Sequence, residues 1–434
     1  MNIVFYNPAP TQQRFRPFEA IKGSPFFRRP NYDAMRLAYL SKRENFLYYD
    51  ERIEEKPDLN PDLVVVYVSL NLARYIENII REKWDYGTKI ISYGPFPTLF
   101  PKEAKNFSDS VVIGDITSVW AKILKDLQQD KIAPRYRARN NIQFGVDRTI
   151  EFKYGFTPLL SQLRTAYGCE CQEDEKDYCY ENILYHKVVR TKLDELVRAI
   201  AQIKRKVVFI LDDDFLGDPD YALDLLERCW KYKKMWIIQT KGKLFHSPEI
   251  LPRLRDNGVR IIYLKEDWLG RNLPEKLEDK DFVKKKSRET NLIHNYRITV
   301  GCKLRLGYEG ENYDFYLNLF KFLMHIRIDL IEVSVQTPIP RTPTFQKFLK
   351  AERLVRDFTL YDQWMPVVRI PGITPQALYS WMEWLRDKFY SWDSILLRNI
   401  LVSPRLGFYN TIFFYLLPNL SYRNNFLEKV GYPP

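Results

Sequence analysis

Cys169, Cys171 and Cys179 fall within eleven positions of one another, while Cys229 and Cys302 stand alone. Five cysteines in 434 residues do not make a disulfide framework. The clustering of three predicts a metal or redox site kept reduced, and so a cytoplasmic protein. Three thiolates can hold an iron–sulfur cluster, or zinc where a fourth ligand joins them, and His186 is a candidate for that fourth place. The loop is also rich in Glu and Asp, whose charge opposes thiolate formation, so free surface cysteines remain an open reading. A second concentration of reactive groups is the run Asp212-Asp213-Asp214. Its carboxylates could receive an amino group through charge-assisted hydrogen bonds, or cap the helix that starts near Pro219. Arg341 could pair with an acidic ligand or form a surface salt bridge.

These residues need elements to hold them. The first 140 residues alternate short apolar strands (Asn2–Tyr6, Phe46–Tyr49, Leu63–Ser69, Lys89–Tyr93, Ser110–Gly114) with helical spacings at Tyr32–Leu40, Tyr75–Glu82 and Val119–Gln128. The run LVVVYVS at Leu63–Ser69 is the pattern of a strand buried on both faces. Strands separated by helix-length segments predict βαβ units and a Rossmann-like parallel sheet, whose ligands lie beyond the strands' carboxyl ends. Polar residues 130–149 lack periodicity and read as a linker. A second series follows, with strands at Leu163–Tyr167, Val207–Leu211, Trp236–Gln239, Arg260–Leu264, Ile298–Leu306 and Leu330–Val335. Helix-length segments separate them, which predicts a (β/α)6 partial barrel with its chemistry at the carboxyl ends of the strands. The domains expected are therefore 1–140, 150–345 and a C-terminal helical region over 346–434.

Composition agrees with a folded α/β chain: hydrophobic residues make up 45% and aromatics 15%, far from the profile of a disordered chain. The net charge of +12 is spread along the chain and interleaved with Asp and Glu, as in Pro274–Glu289. That pattern is a solvated helix face rather than a nucleic-acid patch, although a positive balance favours anionic substrates or a membrane surface. No secretory leader is apparent at the N-terminus. No run reaches the roughly 18 apolar residues of a spanning helix. The apolar stretch Tyr409–Leu420 reads as a core helix or interface, with shallow peripheral membrane contact as its sharper alternative.

Several strings, taken in order, resemble the family of radical S-adenosylmethionine (SAM) proteins with an N-terminal cobalamin-binding domain. They are Ser92–Thr98 (SYGPFPT), Ser110–Asp115 (SVVIGD), Thr165–Cys169 (TAYGC), Val208–Pro219 (VFILDDDFLGDP), Gln336–Pro343 (QTPIPRTP) and Phe389–Ile395 (FYSWDSI). They run from the first strand to about residue 400. The resemblance implies a [4Fe–4S] cluster, SAM and cobalamin as cofactors. It implies methyl transfer or related chemistry on an unactivated carbon of a small-molecule or lipid-like substrate, with a reductant for the cluster. The family spaces its cluster ligands Cys-x3-Cys-x2-Cys. Cys169 matches the first, but Glu173 and Lys176 stand at the other two positions, so Cys171 and Cys179 can serve only if the loop takes a different path. By resemblance, Ser69, Gly94, Pro95, Thr98 and Gly114 line the groove for cobalamin's nucleotide tail. Asp212 or Asp213 receives the amino group of the methionine moiety, Gln239 faces the pocket, and Glu266 lies near the sugar. Bulk at Lys265 and Lys303 narrows that pocket. His186, His246, His294 and His325 all lie outside the first 140 residues, so no histidine there can reach cobalt from below. The alternative is a degenerate, non-catalytic member that binds cobalamin or another small molecule, or partners an active paralogue.

Overall fold

The β-branched and aromatic runs form strands where the period-2 and continuous patterns place them. In the computed structural model, which describes residues 1–9, 29–85, 87–138, 142–153, 160–171, 173–185, 187–270 and 272–425, the first sheet contains β1 (Asn2–Asn7), β2 (Asn45–Asp50), β3 (Leu63–Tyr67), β4 (Lys89–Tyr93), β5 (Ser110–Ile113) and β6 (Arg135–Arg137). All pairings are parallel, in the order β2-β1-β3-β4-β5-β6. Ile3 pairs with Leu63 and Val64 with Ile90, so the apolar runs align and bury both faces. β6 falls inside the stretch expected to be a linker. Only Tyr136 of its three residues is buried, and one inward side chain on an edge strand leaves no periodicity to read.

The second sheet is a six-stranded parallel partial barrel. It comprises β7 (Leu160–Leu163), β10 (Val207–Ile210), β11 (Met235–Thr240), β12 (Val259–Leu264), β13 (Thr299–Leu306) and β14 (Leu330–Val335), in that spatial order. Between β7 and β10 a small antiparallel pair, β8 (Ala166–Tyr167) with β9 (Val189–Arg190), flanks the cysteine loop. The expected strand Leu163–Tyr167 is thus split. The cause is Thr165, whose N–H donates to Asp212 Oδ1 at 2.7 Å and whose hydroxyl also bonds Asp212, taking it out of the ladder. Gly168 has φ +87°, and a Cβ there would stand 2.6 Å from the Lys187 carbonyl, so only glycine lets the hairpin close.

Behind the barrel, Leu378, Met382, Leu385 and Phe389 of the helix Pro375–Phe389 share a core with Ile331 and Val335. Ile339, Phe345, Leu354, Tyr361 and Val367 instead share a core with Val64 of the first sheet and with Ile76 and Phe96 of the helices beside it. The tail stretch is partly buried and partly exposed. Phe414 and Tyr415 are buried, while Tyr409, Ile412 and Phe413 are exposed. Among the described residues no helix is long and apolar enough to cross a membrane.

Candidate active site at the barrel mouth

The three cysteines converge. Their Sγ atoms lie within 4.8 Å of one another, on the loop that leaves the β7–β8 corner at the carboxyl end of the barrel. Cys169 and Cys171 are joined as a disulfide, with Cα atoms 5.3 Å apart. Cys179 is a free thiol 3.9 Å from Asp213 Oδ2. Burial first, then the Asp213 carboxylate, pushes the Cys179 thiol up to about 11. Three soft sulfur donors from one loop suit an iron–sulfur cluster that keeps one position open. Ligation requires the Cys169–Cys171 pair in its dithiol form. The loop path differs from the family spacing because Glu173–Lys176 forms a short helical turn, carrying the positions of the missing cysteines away and returning the chain at Cys179. His186 lies outside the described residues.

The acidic run divides its work. Asp212 is 4% exposed and bound to Thr165, and burial raises its carboxyl to about 6. Asp214 accepts from Thr240 Oγ1 at 3.0 Å and from the Lys241 N–H at 3.3 Å. None of the three caps the next helix; Asp218 does, accepting from the Tyr221 N–H at 3.1 Å. Asp213 alone faces the mouth beside Cys179, paired to Lys265 at 3.2 Å. Burial pushes its carboxyl up, but Lys265 and Lys303 outweigh that and hold it below the usual range. Arg341 lies over the Phe100 ring at 4.9 Å and away from the mouth.

Gln239 is buried; its amide donates to the Asp212 carbonyl at 3.3 Å, and its Oε1 has no partner. Glu266 pairs with Arg305 at 3.4 Å, and Lys303 with Glu332 at 3.0 Å. Lys241 reaches Glu175 at 3.0 Å and the Glu170 carbonyl of the cysteine loop at 3.1 Å. A cavity of about 350 Å³ opens beside these pairs, lined by Glu175, Glu266, Asp267, Lys303, Arg305 and Glu311. Its volume falls within the range of small-molecule sites. Sequence reasoning missed Lys241, Arg305 and Glu311. For Arg305 a signal existed: Gly301, Lys303 and Arg305 alternate along β13 and share one face. Cys302 points to the opposite face, so it does not narrow the pocket, and Gly301 makes room for the Tyr263 ring. Arg29, above the Phe209 ring at 4.6 Å, had no such signal.

The five residues expected at the first sheet gather at one edge, beyond β3, β4 and β5. Ser69 Oγ donates to Asn71 Oδ1 at 2.6 Å, Pro95 is buried, and Thr98 Oγ1 accepts from the Gly114 N–H at 3.1 Å. Gly94 (φ +112°) and Gly114 (φ +86°) turn the chain there. That edge is covered by the helix Tyr180–Leu184, which continues from Cys179. The Leu184 carbonyl lies 3.4 Å from where a Gly114 Cβ would stand, and Tyr185 Oη donates to Asp115 Oδ2 at 3.0 Å. The residues present suit cobalamin's tail, and the helix Tyr180–Leu184 lies over them as a cover.

No family profile matches the chain. In sequence it is 23% identical over 331 residues to the bacteriochlorophyllide d C-12(1)-methyltransferase of Chlorobaculum tepidum, covering 72% of this chain and 71% of the relative. It is 23% identical over 309 residues to the hopanoid C-2 methylase of Rhodopseudomonas palustris, covering 65% of this chain and 56% of that protein. In fold it is similar to the radical SAM methyltransferase TsrM from Kitasatospora setae, solved with tryptophan and a SAM analogue. That match has a TM-score of 0.60 at 14% identity, over 89% of each chain. The cobalamin-dependent radical SAM enzyme OxsB, with aqua-cobalamin bound, matches with a TM-score of 0.52 at 12% identity, over 82% of this chain and 56% of OxsB. In sequence and in fold the chain is thus similar to radical SAM proteins with a cobalamin-binding domain, and it differs from the family's cysteine pattern in its spacing, Cys-x-Cys-x7-Cys.

Proposed function

We propose that this chain is a cytoplasmic, cobalamin-dependent radical SAM methyltransferase acting on an unactivated carbon. The observation that carries the reading is the gathering of three sulfurs within 4.8 Å at the barrel mouth. Cys169, Cys171 and Cys179 would hold a [4Fe–4S] cluster, which supplies the electron that cleaves SAM, while cobalamin supplies the methyl carrier. The chain's own residues bind and orient. Asp213, held ionised, is placed beside Cys179 to receive the amino group of the methionine moiety. Arg305 and Lys303, next to the 350 Å³ cavity, are placed to meet its carboxylate. Glu266 and Gln239 offer acceptors for the sugar and base. Asp212 is a positioning residue that locks Thr165 at the root of the cysteine loop. The substrate is a small or lipid-like molecule, as the names of the relatives suggest, and the cluster would need a one-electron reductant.

The test is anaerobic reconstitution with iron and sulfide after reduction, followed by iron analysis, the electron paramagnetic resonance spectrum, and turnover of SAM under reducing conditions. A brown protein that consumes SAM in a Cys179-dependent way is expected. A colourless protein that neither retains iron nor consumes SAM would establish the non-catalytic alternative instead.

A further inference from the structure

Opposite the cysteine mouth, the loops leading into β10 to β14 form the floor of the barrel. Each brings cations to one face: Lys204 and Lys206, then Lys231 and Lys233, then Arg255 with Arg260, then Arg297, then Arg327. Lys233, Arg297 and Arg327 sit at φ 49°, 56° and 60°. Such left-handed positions after a helix favour glycine, because a Cβ crowds the backbone there, and the corresponding turn before β12 does use Gly258 at φ 98°. Three of these turns therefore carry a long cation where a smaller residue would fit with less strain.

The charges are not neutralised locally. Among the described residues no carboxylate forms an ion pair with Arg255, Arg260 or Arg297. Burial and then the neighbouring Arg255 lower the Arg260 guanidinium to about 10. Exposed aromatics adjoin these cations. Phe152 is 53% exposed with Lys204 Nζ 6.0 Å from its ring, and Trp230 is 63% exposed in the loop before β11. Tyr409 Oη lies 3.9 Å from Met235 Sδ, its ring is 4.6 Å from Phe413, and Phe408 is 83% exposed. Ile412, in the same helical stretch as Phe413, is exposed as well.

We infer that this floor is a docking surface for an anionic lipid bilayer. Unpaired Lys and Arg around Trp, Tyr and Phe are the composition that a membrane–water interface takes up, the cations at the headgroups and the rings at the acyl boundary. Exposed Ile412, Phe408 and Phe413 favour lipid over nucleic acid, whose charged backbone offers little for these side chains to bury against. Docked this way, the cysteine mouth faces away from the bilayer. The chain is then tethered by its floor while substrate and reductant reach the mouth from the aqueous side. This inference does not depend on the methyl-transfer reading.

The test is flotation of the full chain with phosphatidylcholine vesicles, with and without about 30% phosphatidylglycerol. Binding to the anionic vesicles alone, weakened by salt, is expected. At about fivefold per cation, the triple variant Lys233→Gly/Arg297→Gly/Arg327→Gly should bind roughly 100-fold more weakly. Its melting temperature should hold or rise, because glycine relieves the left-handed turns. Phe408→Ser/Phe413→Ser should also release the chain from vesicles while leaving its fold intact by circular dichroism. Equal binding to neutral vesicles would overturn the proposal. So would tighter binding to tRNA with the same variant sensitivity, or a dimer in solution that Phe408→Ser dissociates.

Discussion

The two carboxyl edges of this molecule, built from the same β/α repeat, are closed in different ways. At the first sheet, Arg36 is wholly buried and fully engaged. It bonds Asp115 at 2.8 and 3.3 Å, Asp33 at 2.8 Å, Thr117 at 2.7 Å and the Gln143 carbonyl at 3.1 Å. Asp115 also accepts from the Thr117 N–H at 2.8 Å, the Thr117 hydroxyl and the Tyr185 hydroxyl, and the Tyr167 ring lies 4.4 Å from the guanidinium. At the barrel, Lys265–Asp213, Lys303–Glu332 and Arg305–Glu266 are half-buried pairs beside an open cavity. A multiply bonded buried ion is held in place because losing one partner strands the other. Half-buried pairs exchange partners at little cost. The barrel edge can therefore admit a charged ligand one contact at a time, whereas the first edge opens as a unit.

The comparison breaks outright if the barrel edge holds no metal. Cys169→Ala and Cys179→Ala are each expected to abolish iron retention after anaerobic reconstitution, measured as iron per chain, and SAM turnover with it. Retention of the full iron complement by either variant would remove that sulfur from the ligand set. Next in size is the contrast in stability. Arg36→Met should destabilise by about 3–5 kcal/mol by leaving Asp115 buried and uncompensated, whereas Arg305→Met should cost less, because Glu266 keeps access to water at the cavity. Urea midpoints of the two variants measure this directly, and equal shifts would erase the distinction between the edges.

How far these edges could be read in the sequence differs in the same way. The continuous run at Leu63–Tyr67 and the periodic helix Tyr32–Leu40 declared the first sheet, because burial on both faces leaves a pattern. The cysteine cluster declared the mouth: its three sulfurs meet there, but Cys169 and Cys171 are joined as a disulfide where reduced thiols were expected, because only one residue separates them and their Cα atoms come within 5.3 Å. What stayed hidden were long-range partners. Arg36 looks like one more surface cation on an amphipathic helix until Asp115, 79 residues away, meets it. Thr165 splits its strand only because Asp212 is folded against it. Asp218, not the more conspicuous acidic run, caps the helix, since the cap is set by distance to the first free N–H rather than by local charge density.

The barrel edge should also show itself in the pH dependence of stability. Glu311, lining the cavity, accepts from the Gly307 N–H and the Tyr316 hydroxyl, each at 2.7 Å, yet burial raises its carboxyl from 4.5 to about 7. The folded chain keeps this proton where the unfolded chain has lost it. The stabilisation is therefore complete below about pH 4.5 and is lost as pH rises through about 7, a change of about 3 kcal/mol. Glu311→Gln should remove that slope, read as urea midpoints at successive pH values between these limits. A variant whose stability falls across the window as steeply as the parent's would assign the titration elsewhere.

The smallest expected effect sharpens the comparison most, because it asks whether the closed edge can open at all. The helix Tyr180–Leu184 is held over Gly94 and Gly114 by polar anchors that include the Arg164–Glu181 ion pair, the Gly168 N–H donating to Glu181 at 3.1 Å and the Tyr185–Asp115 hydrogen bond. If cobalamin enters there, the helix must first leave, and the measured affinity is the intrinsic one reduced by the fraction of chains in which it has left. Tyr185→Phe removes one neutral-to-charged hydrogen bond while keeping the ring against Tyr167. Hydroxocobalamin should then bind about tenfold more tightly, corresponding to the 1.5–3 kcal/mol such a bond is worth less the part recovered by solvating Asp115. Titration by corrin absorbance measures it. Weaker binding would mean that Tyr185 belongs to the bound state, and the covering helix would then be part of the cobalamin site rather than its closure.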